Sequence, residues 1–591
     1  MKNQKIRVGV WIQQAAILAA IGAALGACSG EPVAPEPEAD PNAAAARMPP
    51  PISGGTLLIA ANGRTAVAAD PDRDRVSIVD IPSKIHVADI QLEPSDEPGR
   101  VVEGPPGRLH VALRRGGAVA TIDLATKEIL RRTRVCPAPR GIAYDLGNKL
   151  HVACAGGELV TLSADTGAEL RRLRLEPDLR DVAVQEGGGL LVSVFREAKV
   201  LELDPEGNVI NERSPVSDGS SFGGFEAAVA WRMAPLAGGG AAIVHQRHSR
   251  TPVGTEPGGY GVSDGCSPGI VVSAVSFLDA KSEASFELTP SFGQSALPVD
   301  LAISPDGSRF AIVSAGSDTV LERSIAEFRS ASNIFCKLDS GMEITEGQPI
   351  AVAFAGSVRV VQTREPPRLV LGDRSVIDMP GDNVMDTGHE LFHRAAAEQL
   401  SLACASCHPE GREDGFTWEF LGLGPRRTQS LAGGILGTAP LHWNGELKGF
   451  DSLMGEVFTG RMGGAPQSPR RVRAIALWVD SIPALPASPD VDPSSVERGK
   501  ALFESSAVGC ATCHSGPLLT NNESVDVGTG GVFQVPSLRG VSARAPFMHN
   551  GCAPTLRDRF DIACGGDSRH GVTYNLTAGD LDDLVSYLET L

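Results

Sequence analysis

The sequence has too little positive charge for a protein that binds nucleic acids. Its 53 Lys and Arg residues stand against 71 Asp and Glu residues, which gives a formal net charge of -18. A phosphate backbone is recognised by clustered Lys and Arg side chains. We therefore exclude nucleic acid as a partner and expect partners that are cationic or neutral.

The sequence also lacks a long apolar run beyond its first 27 residues. Three basic residues precede an apolar stretch at residues 8–27, which closes with Leu-Gly-Ala-Cys28 and resembles a lipobox. The resemblance implies that residues 1–27 are a signal peptide and that Cys28 carries a lipid. A transmembrane anchor is the alternative, but small residues dominate the stretch and a Cys ends it. We expect an exported lipoprotein on the periplasmic or cell-surface side of a bacterial membrane, held by its lipid anchor, with residues 28–53 as a flexible linker.

The eleven cysteines divide into three groups. Cys28 is the expected lipid site, and four more lie in two Cys-x-x-Cys-His motifs. The other six are Cys136, Cys154, Cys266, Cys336, Cys552 and Cys564. An even number in an exported protein favours disulfides over free buried thiols, and by proximity we pair these six in order along the chain.

A chain of 591 residues is too long for one core, so several domains are expected. Short alternating strands repeat between residues 54 and 375, where Leu-His-Val-Ala at 109–112 returns at 150–153. Arginines recur at a spacing of 40, at Arg100, Arg140 and Arg180. A period near 40 with several strands per unit predicts an all-β propeller of about seven blades.

The propeller resembles lactonase-like and surface-layer-type propellers, and we interpret it as a docking or substrate-presenting platform. Residues 214–295 break the repeat and suggest an insertion. His245 and His248 lie in it and could reach a metal or substrate, but unpartnered histidines are more often polar loop residues, which is the interpretation that we favour.

The strongest chemical signals are the Cys-x-x-Cys-His motifs at residues 404–408 and 510–514. Two thiols one helical turn apart can each add across a porphyrin vinyl group, and the following His is placed under the iron. A zinc site needs facing Cys pairs without a fixed His, and a thioredoxin motif needs a βαβ setting, so we reject both. The motifs predict two haem c groups, attached at Cys404, Cys407, Cys510 and Cys513, with proximal ligands His408 and His514.

The two motifs lie in a duplicated unit. Ala439-Pro440 follows His408 by 31 residues, and Ala545-Pro546 follows His514 by the same number. We expect two tandem, mostly α-helical cytochrome c domains after the propeller, at residues 386–485 and 494–591.

Residues 386–591 resemble the bacterial di-haem cytochrome c peroxidase family. The resemblance rests on residues 510–522, 535–541 and 545–551 in the second unit, and on Gly-Pro-Arg-Arg-Thr and His-Trp-Asn-Gly, which begin at Gly424 and His442, in the first. It implies one haem that takes electrons from a carrier, such as a small cytochrome or cupredoxin, and one that meets peroxide or a substrate. It also implies a calcium ion between the haem domains, to which no residues are assigned.

The first unit departs from the family at its distal side. The family has a removable His ligand soon after the motif, yet no His lies between His408 and His442. Arg461-Met462 stands where the family has the Glu-Met pair that supplies an acid and base. Met462 could ligate the first iron or simply pack, because Met often fills core gaps; the iron could also be open beneath Trp418 or Trp443.

The second unit has lost the family's distal Met. Its remaining ligand candidates are Met548, His549 and His570, among which we favour His570 because the expected Cys552–Cys564 loop precedes it.

These residues support a di-haem oxidoreductase of the peroxidase type, which reduces peroxide or oxidises a substrate. The alternative is a non-enzymatic electron-transfer lipoprotein whose propeller docks a partner, and the missing His and Glu favour it. The third hypothesis, that the propeller is a dehydrogenase and the haems accept its electrons, ranks last. The sequence assigns no catalytic residue.

Overall fold

The computed structural model describes residues 47–217, 224–261, 269–279, 286, 289–330, 341–397, 401–487, 491–566 and 568–591. The expected signal peptide, Cys28 and the expected Cys266–Cys336 pair lie outside these residues. None of the helices in the described ranges is long and apolar enough to cross a membrane.

Seven four-stranded antiparallel sheets follow one another along the chain, which confirms the predicted seven-bladed propeller. Blades one to three contain β1 (Leu57–Ile59), β2 (Thr65–Asp70), β3 (Arg75–Asp80), β4 (Ile85–Gln91), β5 (Pro98–Glu103), β6 (Arg108–Leu113), β7 (Ala118–Asp123), β8 (Ile129–Arg134), β9 (Pro139–Asp145), β10 (Lys149–Cys154), β11 (Glu158–Ser163) and β12 (Glu169–Arg174). Blades four and five contain β13 (Leu179–Val184), β14 (Leu190–Val194), β15 (Val200–Leu203), β16 (Val209–Arg213), β17 (Phe225–Pro235), β18 (Gly240–Ser249), β19 (Val271–Asp279) and β20 (Ser291–Phe292). Blades six and seven contain β21 (Pro298–Ile303), β22 (Arg309–Ser314), β23 (Thr319–Ser324), β24 (Glu343–Ile344), β25 (Pro349–Ala355), β26 (Val358–Thr363), β27 (Arg368–Leu371) and β28 (Val376–Asp378), with helix α1 (Ile325–Ser330) after β23.

The arginines of the 40-residue repeat belong to the first strands of blades two, three and four. These strands are largely buried near the axis, whereas the last strands, such as β8 and β12, expose four of their six residues. Arg100, Arg140 and Arg180 fall where the strand register shifts, so each lies in a β-bulge. A bulge redirects a side chain out of the normal alternation, and here it places three guanidinium groups in the buried centre of the propeller.

The predicted insertion at residues 214–295 is wrong for most of its length. It contains the long strands β17, β18 and β19 of blade five. His245 and His248 lie in β18 and are fully buried, so they are not surface loop residues. The Nε2 atom of His245 lies 2.9 Å from the Ser276 hydroxyl, and the ring of His248 stacks on Trp418 with centroids 4.9 Å apart.

Two C-terminal segments follow the propeller, each containing one Cys-x-x-Cys-His motif. The first motif segment (residues 386–487) contains α2 (Thr387–His393), α3 (Cys404–Cys407), β29 (Thr417–Phe420), β30 (Gly424–Arg427), α4 (Phe450–Leu453), a π-helix (Met454–Arg461) and α5 (Pro469–Asp480). The second motif segment (residues 491–591) contains α6 (Pro493–Glu504), α7 (Cys510–Cys513), β31 (Ser524–Asp526), β32 (Val532–Gln534) and α8 (Ala578–Leu588). Short 3₁₀ turns lie at Glu186–Gly188, Pro409–Gly411, Ile435–Thr438, Val541–Ala543, Asp558–Phe560 and Ile562–Cys564.

The two motif segments meet through equivalent residues. Trp443 and His549 occupy the same place in the two repeats, and their rings lie 6.3 Å apart. The amide of Arg427 donates to the carbonyl of His549 at 2.6 Å, while that of Gln534 donates to the carbonyl of Trp443 at 2.7 Å. Reciprocal contacts of this kind are those of a twofold interface, so the segments are related by a local pseudo-twofold axis.

A buried carboxylate joins the propeller to the first motif segment. Glu410, two residues after the motif's His408, accepts from Arg140 at 3.0 Å and from Arg180 at 2.6 Å. Burial alone would raise the pKa of Glu410, but the two guanidinium charges hold that pKa well below its ordinary value. The first Cys-x-x-Cys-His motif is therefore fixed to the propeller by a buried charge.

Residues 47–53 form part of the expected flexible linker, but the structure corrects that expectation. Residues 49–53 are buried, and the carbonyl of Pro49 accepts from the indole of Trp478 at 2.9 Å. The amide of Ile52 donates to His393 and the carbonyl of Ser53 accepts from Arg180. A proline-rich stretch can still be ordered when other groups satisfy its backbone, and here it is packed between the propeller and the first motif segment.

Glu410→Gln should lower the free energy of unfolding by about 3 to 5 kcal/mol, because it leaves buried guanidinium groups without their shared charge. Urea unfolding followed by far-UV circular dichroism measures this change. Glu346→Gln is the control, because the side chain of Glu346 is 90% exposed and lies 3.8 Å from its partner Arg368. An unchanged midpoint for Glu410→Gln would show that the contact of Glu410 with Arg140 and Arg180 contributes nothing to stability.

Candidate haem sites

The first motif presents its histidine in one defined orientation. Cys404 and Cys407 lie at the two ends of the single-turn helix α3, and His408 follows directly. The Nδ1 atom of His408 lies 3.0 Å from the carbonyl of Arg412, to which it donates, so Nε2 is the nitrogen left to bind a metal. Burial lowers the pKa of His408 to about 4, which keeps the imidazole neutral at pH 7, as a ligand must be.

These three residues border a cavity of about 260 Å³ that lies at the junction of the propeller and both motif segments. Its walls are largely apolar and include Phe392, Leu441, Phe458 and Ile475. Arginines 426, 427 and 544 also line it and suit the carboxylates of a haem propionate. The two thiols, the oriented imidazole and the cavity together fit a covalently attached haem.

The cavity also brings together the residues expected on the open side of the first iron. Met462, Trp418 and Trp443 all line it, and Met462 directly follows the π-helix. Single π-turns are frequent at functional sites. Met462 is therefore placed where it can either ligate or pack.

One corner of the cavity is polar. His442 and Glu446 are joined at 2.8 Å, and Arg461 donates to the Tyr260 hydroxyl at 3.4 Å. Burial raises the pKa of Glu446, but the contact and charge of His442 outweigh it and lower that pKa below its ordinary value. The corner thus combines an ionised carboxylate, an imidazole, a guanidinium and a phenol.

The second motif has an imidazole opposite its own. His514 donates from Nδ1 to the carbonyl of Leu519 at 3.2 Å, which leaves Nε2 for a metal. The ring of His570 lies 6.3 Å from that of His514, centre to centre, at an interplanar angle of 33°. Two imidazoles that each bind one metal ion at about 2 Å have ring centres roughly 6 Å apart, so this pair fits an iron held from both sides.

The other two candidates in this segment have different surroundings. His549 stacks on Phe533 at 3.9 Å and lies at the junction with Trp443. Met548 packs against the apolar cluster of the second segment, which includes Phe547 and Leu556.

The described residues contain two disulfides, Cys136–Cys154 at blade three and Cys552–Cys564 in the second motif segment. The second closes a loop shortly before His570, whose carbonyl also accepts from Arg559. A covalent link and a hydrogen bond therefore hold the backbone near the imidazole that faces His514. In the described part of the chain no group of three or more His, Cys, Asp or Glu side chains lies close enough together to hold a metal ion. Calcium also binds backbone and amide carbonyl oxygens, so the expected calcium ion stays a prediction.

Sequence reasoning missed the residues that reach the first site from a distance. Tyr260 comes from the propeller and Glu410 is matched by arginines more than 200 residues away, so neither leaves a local signal. Glu446 follows His442 by four residues, a spacing that could have suggested a pair.

Comparison with known proteins identifies the second motif segment. Residues 496–591 match the family model described as Cytochrome c. The second motif segment is a cytochrome c domain. Such a domain implies haem c, and the chain accordingly belongs among proteins of haem redox chemistry and electron transfer.

Two curated proteins are similar to the chain. Hydrazine synthase subunit gamma of Kuenenia stuttgartiensis is 28% identical over 271 residues, covering 34% of this chain and 76% of that protein. Methylamine utilization protein MauG of Methylorubrum extorquens is 29% identical over 123 residues, covering 17% of this chain and 35% of that protein. Among solved structures, a chain of Kuenenia stuttgartiensis hydrazine synthase is 16% identical, with a TM-score of 0.45, over 56% of this chain and 97% of that one.

Replacing His570 by Ala should convert one low-spin ferric signal into a high-spin signal in electron paramagnetic resonance, because an axial imidazole is lost. Added imidazole should restore the low-spin signal. The matched control is His549→Ala, which should leave both signals unchanged. If His549→Ala produced the conversion and His570→Ala did not, the imidazole opposite His514 would be wrongly assigned.

Proposed function

We propose that the protein is a two-haem c-type oxidoreductase in which the second haem relays electrons and the first haem is the reactive centre. The observation that carries the proposal is the difference between the two sites. In the second site the rings of His514 and His570 face each other, whereas in the first His408 borders a cavity whose other imidazole, His442, is paired with Glu446. A fully ligated iron suits electron transfer, and an open one can bind a small molecule.

The junction between the motif segments provides a route for electrons between the two sites. Trp443 lines the first cavity, and its ring is 6.3 Å from that of His549 in the second segment. The indole of Trp443 donates to the carbonyl of Arg427 at 2.7 Å, which fixes its orientation. The pseudo-twofold interface therefore holds aromatic rings between the two haem positions.

The polar corner supports peroxide as the oxidant. Reduction of hydrogen peroxide to two water molecules consumes two electrons and two protons, so the site needs a group that takes up and returns protons. A haem at this place supplies an iron that binds and reduces the oxidant. In this proposal Glu446, ionised and paired with His442, accepts a proton from one peroxide oxygen and delivers it to the other. The likeness to hydrazine synthase subunit gamma and to MauG supports a redox enzyme over a passive carrier.

The second candidate function is electron transfer without chemistry. It is supported by Met462, which lines the first cavity and could complete the coordination of the first iron. In either case we propose that the chain is exported and lipid-anchored at Cys28. Its net charge of -18 then favours a cationic carrier, either a small cytochrome or a cupredoxin.

The two functions differ in the coordination of the first iron. A pyridine haemochrome assay should give two haems c per chain, and Ala in place of His408 or His514 should change the haem spectrum. In electron paramagnetic resonance the oxidised protein should show one low-spin and one high-spin ferric signal. The spectrum is recorded again after one-electron reduction, because the first site can require reduction before it opens. Two low-spin signals in the oxidised protein, followed by a single low-spin signal after one-electron reduction, would favour the carrier, and a single haem per chain would refute both functions.

Glu446→Gln should lower the kcat of peroxide reduction about 100-fold, because it removes the carboxylate that handles the protons. Stopped-flow oxidation of the reduced protein by hydrogen peroxide measures the rate. Glu456→Gln is the control, because Glu456 is an exposed carboxylate on the neighbouring π-helix. A rate that did not fall below that of Glu456→Gln would exclude Glu446 as the acid and base.

A further inference from the structure

A loop of blade five reaches out of the propeller and contacts the first motif segment on two sides of its cavity. This loop, residues 250–261, lies between β18 and β19. The amide of Val253 donates to Glu419, and its carbonyl accepts from the amide of Leu421. Farther along, the amide of Tyr260 donates to the carbonyl of Arg461 at 3.1 Å. The loop is therefore held by backbone hydrogen bonds to the hairpin β29–β30 and to the π-helix.

This double attachment directs Tyr260 into the cavity that His408, Cys404 and Cys407 also line. Its ring lies 6.2 Å from that of Phe420, and its hydroxyl oxygen lies 3.4 Å from the guanidinium of Arg461. Burial raises the pKa of the phenol, so Tyr260 remains protonated at neutral pH. A neutral hydroxyl group thus stands in the polar corner of the first site.

The direction of the contact with Arg461 decides what this hydroxyl can do. A guanidinium has only donors, so in this contact the phenol oxygen accepts and its own proton is not used. Among the described residues, none accepts a hydrogen bond from the Tyr260 hydroxyl. The proton is therefore available to a molecule inside the cavity.

We propose that Tyr260, supplied by the propeller, donates a hydrogen bond to a small molecule bound at the first haem iron. The ligand would be a small neutral or anionic species with a lone pair on the atom farthest from the iron. Hydrogen-bond donors beside an iron decide whether a ligand is merely bound or is activated. In this chain Arg461 stands where the di-haem peroxidases have their distal acid, and the phenol held by that same arginine provides the donor from another domain.

The inference rests on the proposed function, since it needs an open first haem, but it assigns a separate role to one residue. Carbon monoxide bound to the reduced protein is the first probe, because a donor at its oxygen lowers the C–O stretching frequency measured by infrared spectroscopy. Cyanide bound to the oxidised protein is the second, because its nitrogen can accept the same hydrogen bond. Tyr260→Phe removes only the hydroxyl, so the ring packing against Phe420 is retained.

Tyr260→Phe should raise the C–O stretching frequency and weaken cyanide binding roughly fivefold, the effect of losing one hydrogen bond. Tyr587→Phe is the matched control, because Tyr587 packs on Phe503 in the second motif segment and does not line the cavity. It should change neither quantity. Unfolding midpoints of both variants equal to that of the wild type would show that the shifts are local.

Three results would overturn the assignment. An unchanged frequency and cyanide affinity in Tyr260→Phe would show that the phenol does not touch the ligand. A changed resting ferric spectrum in the ligand-free variant would make Tyr260 an iron ligand instead of a donor, while the two-haem function would stand. A wild-type protein with two haems that binds neither probe would overturn both this role and the open first site.

Discussion

The carboxylate of Glu410 lies at the centre of the propeller, where Arg140 and Arg180 each donate to one of its oxygens. Removing these charges from water is costly, and the cost is offset only when the partners meet in good geometry. Glu410 lies two positions after the predicted proximal ligand His408. The contact therefore fixes the first Cys-x-x-Cys-His motif relative to the propeller. Two further contacts join the same parts. Arg196 pairs with Glu413 at 2.9 Å, and the side-chain amide of Gln246 donates to the carbonyl of Ser406 within the motif itself.

The parts of the molecule that local patterns determine are those that the sequence analysis predicted. The propeller was recognisable because each blade repeats its strands and turns every 40 residues or so, and the haem motifs because their chemistry needs a fixed spacing. The sequence shows the regular spacing of the repeat arginines. Their role, however, depends on a bulge and on the carboxylate of Glu410 far along the chain. The sequence alone predicts a loop position for His248, because polar residues in an irregular stretch resemble loops. It is buried because Trp418 of a different domain covers its ring.

The two motif segments show how a duplication can diverge in function while its junction stays symmetric. Cys510 follows Cys404 by 106 residues, and His549 follows Trp443 by the same number. Between the motif and Trp443 or His549, the two segments contact each other through reciprocal backbone hydrogen bonds. After these residues the segments differ, since the first continues into the π-helix that borders the cavity and the second into the disulfide-closed loop that precedes His570. The difference in coordination that we propose thus arises in the part of the repeat that is free of the interface.

The distribution of apolar cores shows which of the two motif segments depends on the propeller for its stability. Trp478, Phe392 and Phe458 of the first motif segment belong to the same core as Trp231 and Phe310 of the propeller. The second segment instead has a small core of its own around Phe547 and Leu556. Without the propeller, the first segment would expose apolar side chains that have no other partner, and burial of such surface is the main stabilising term in folding. The unit that folds together is therefore the propeller with the first segment. The second segment closes on itself, and it is the segment that the cytochrome c family model matches.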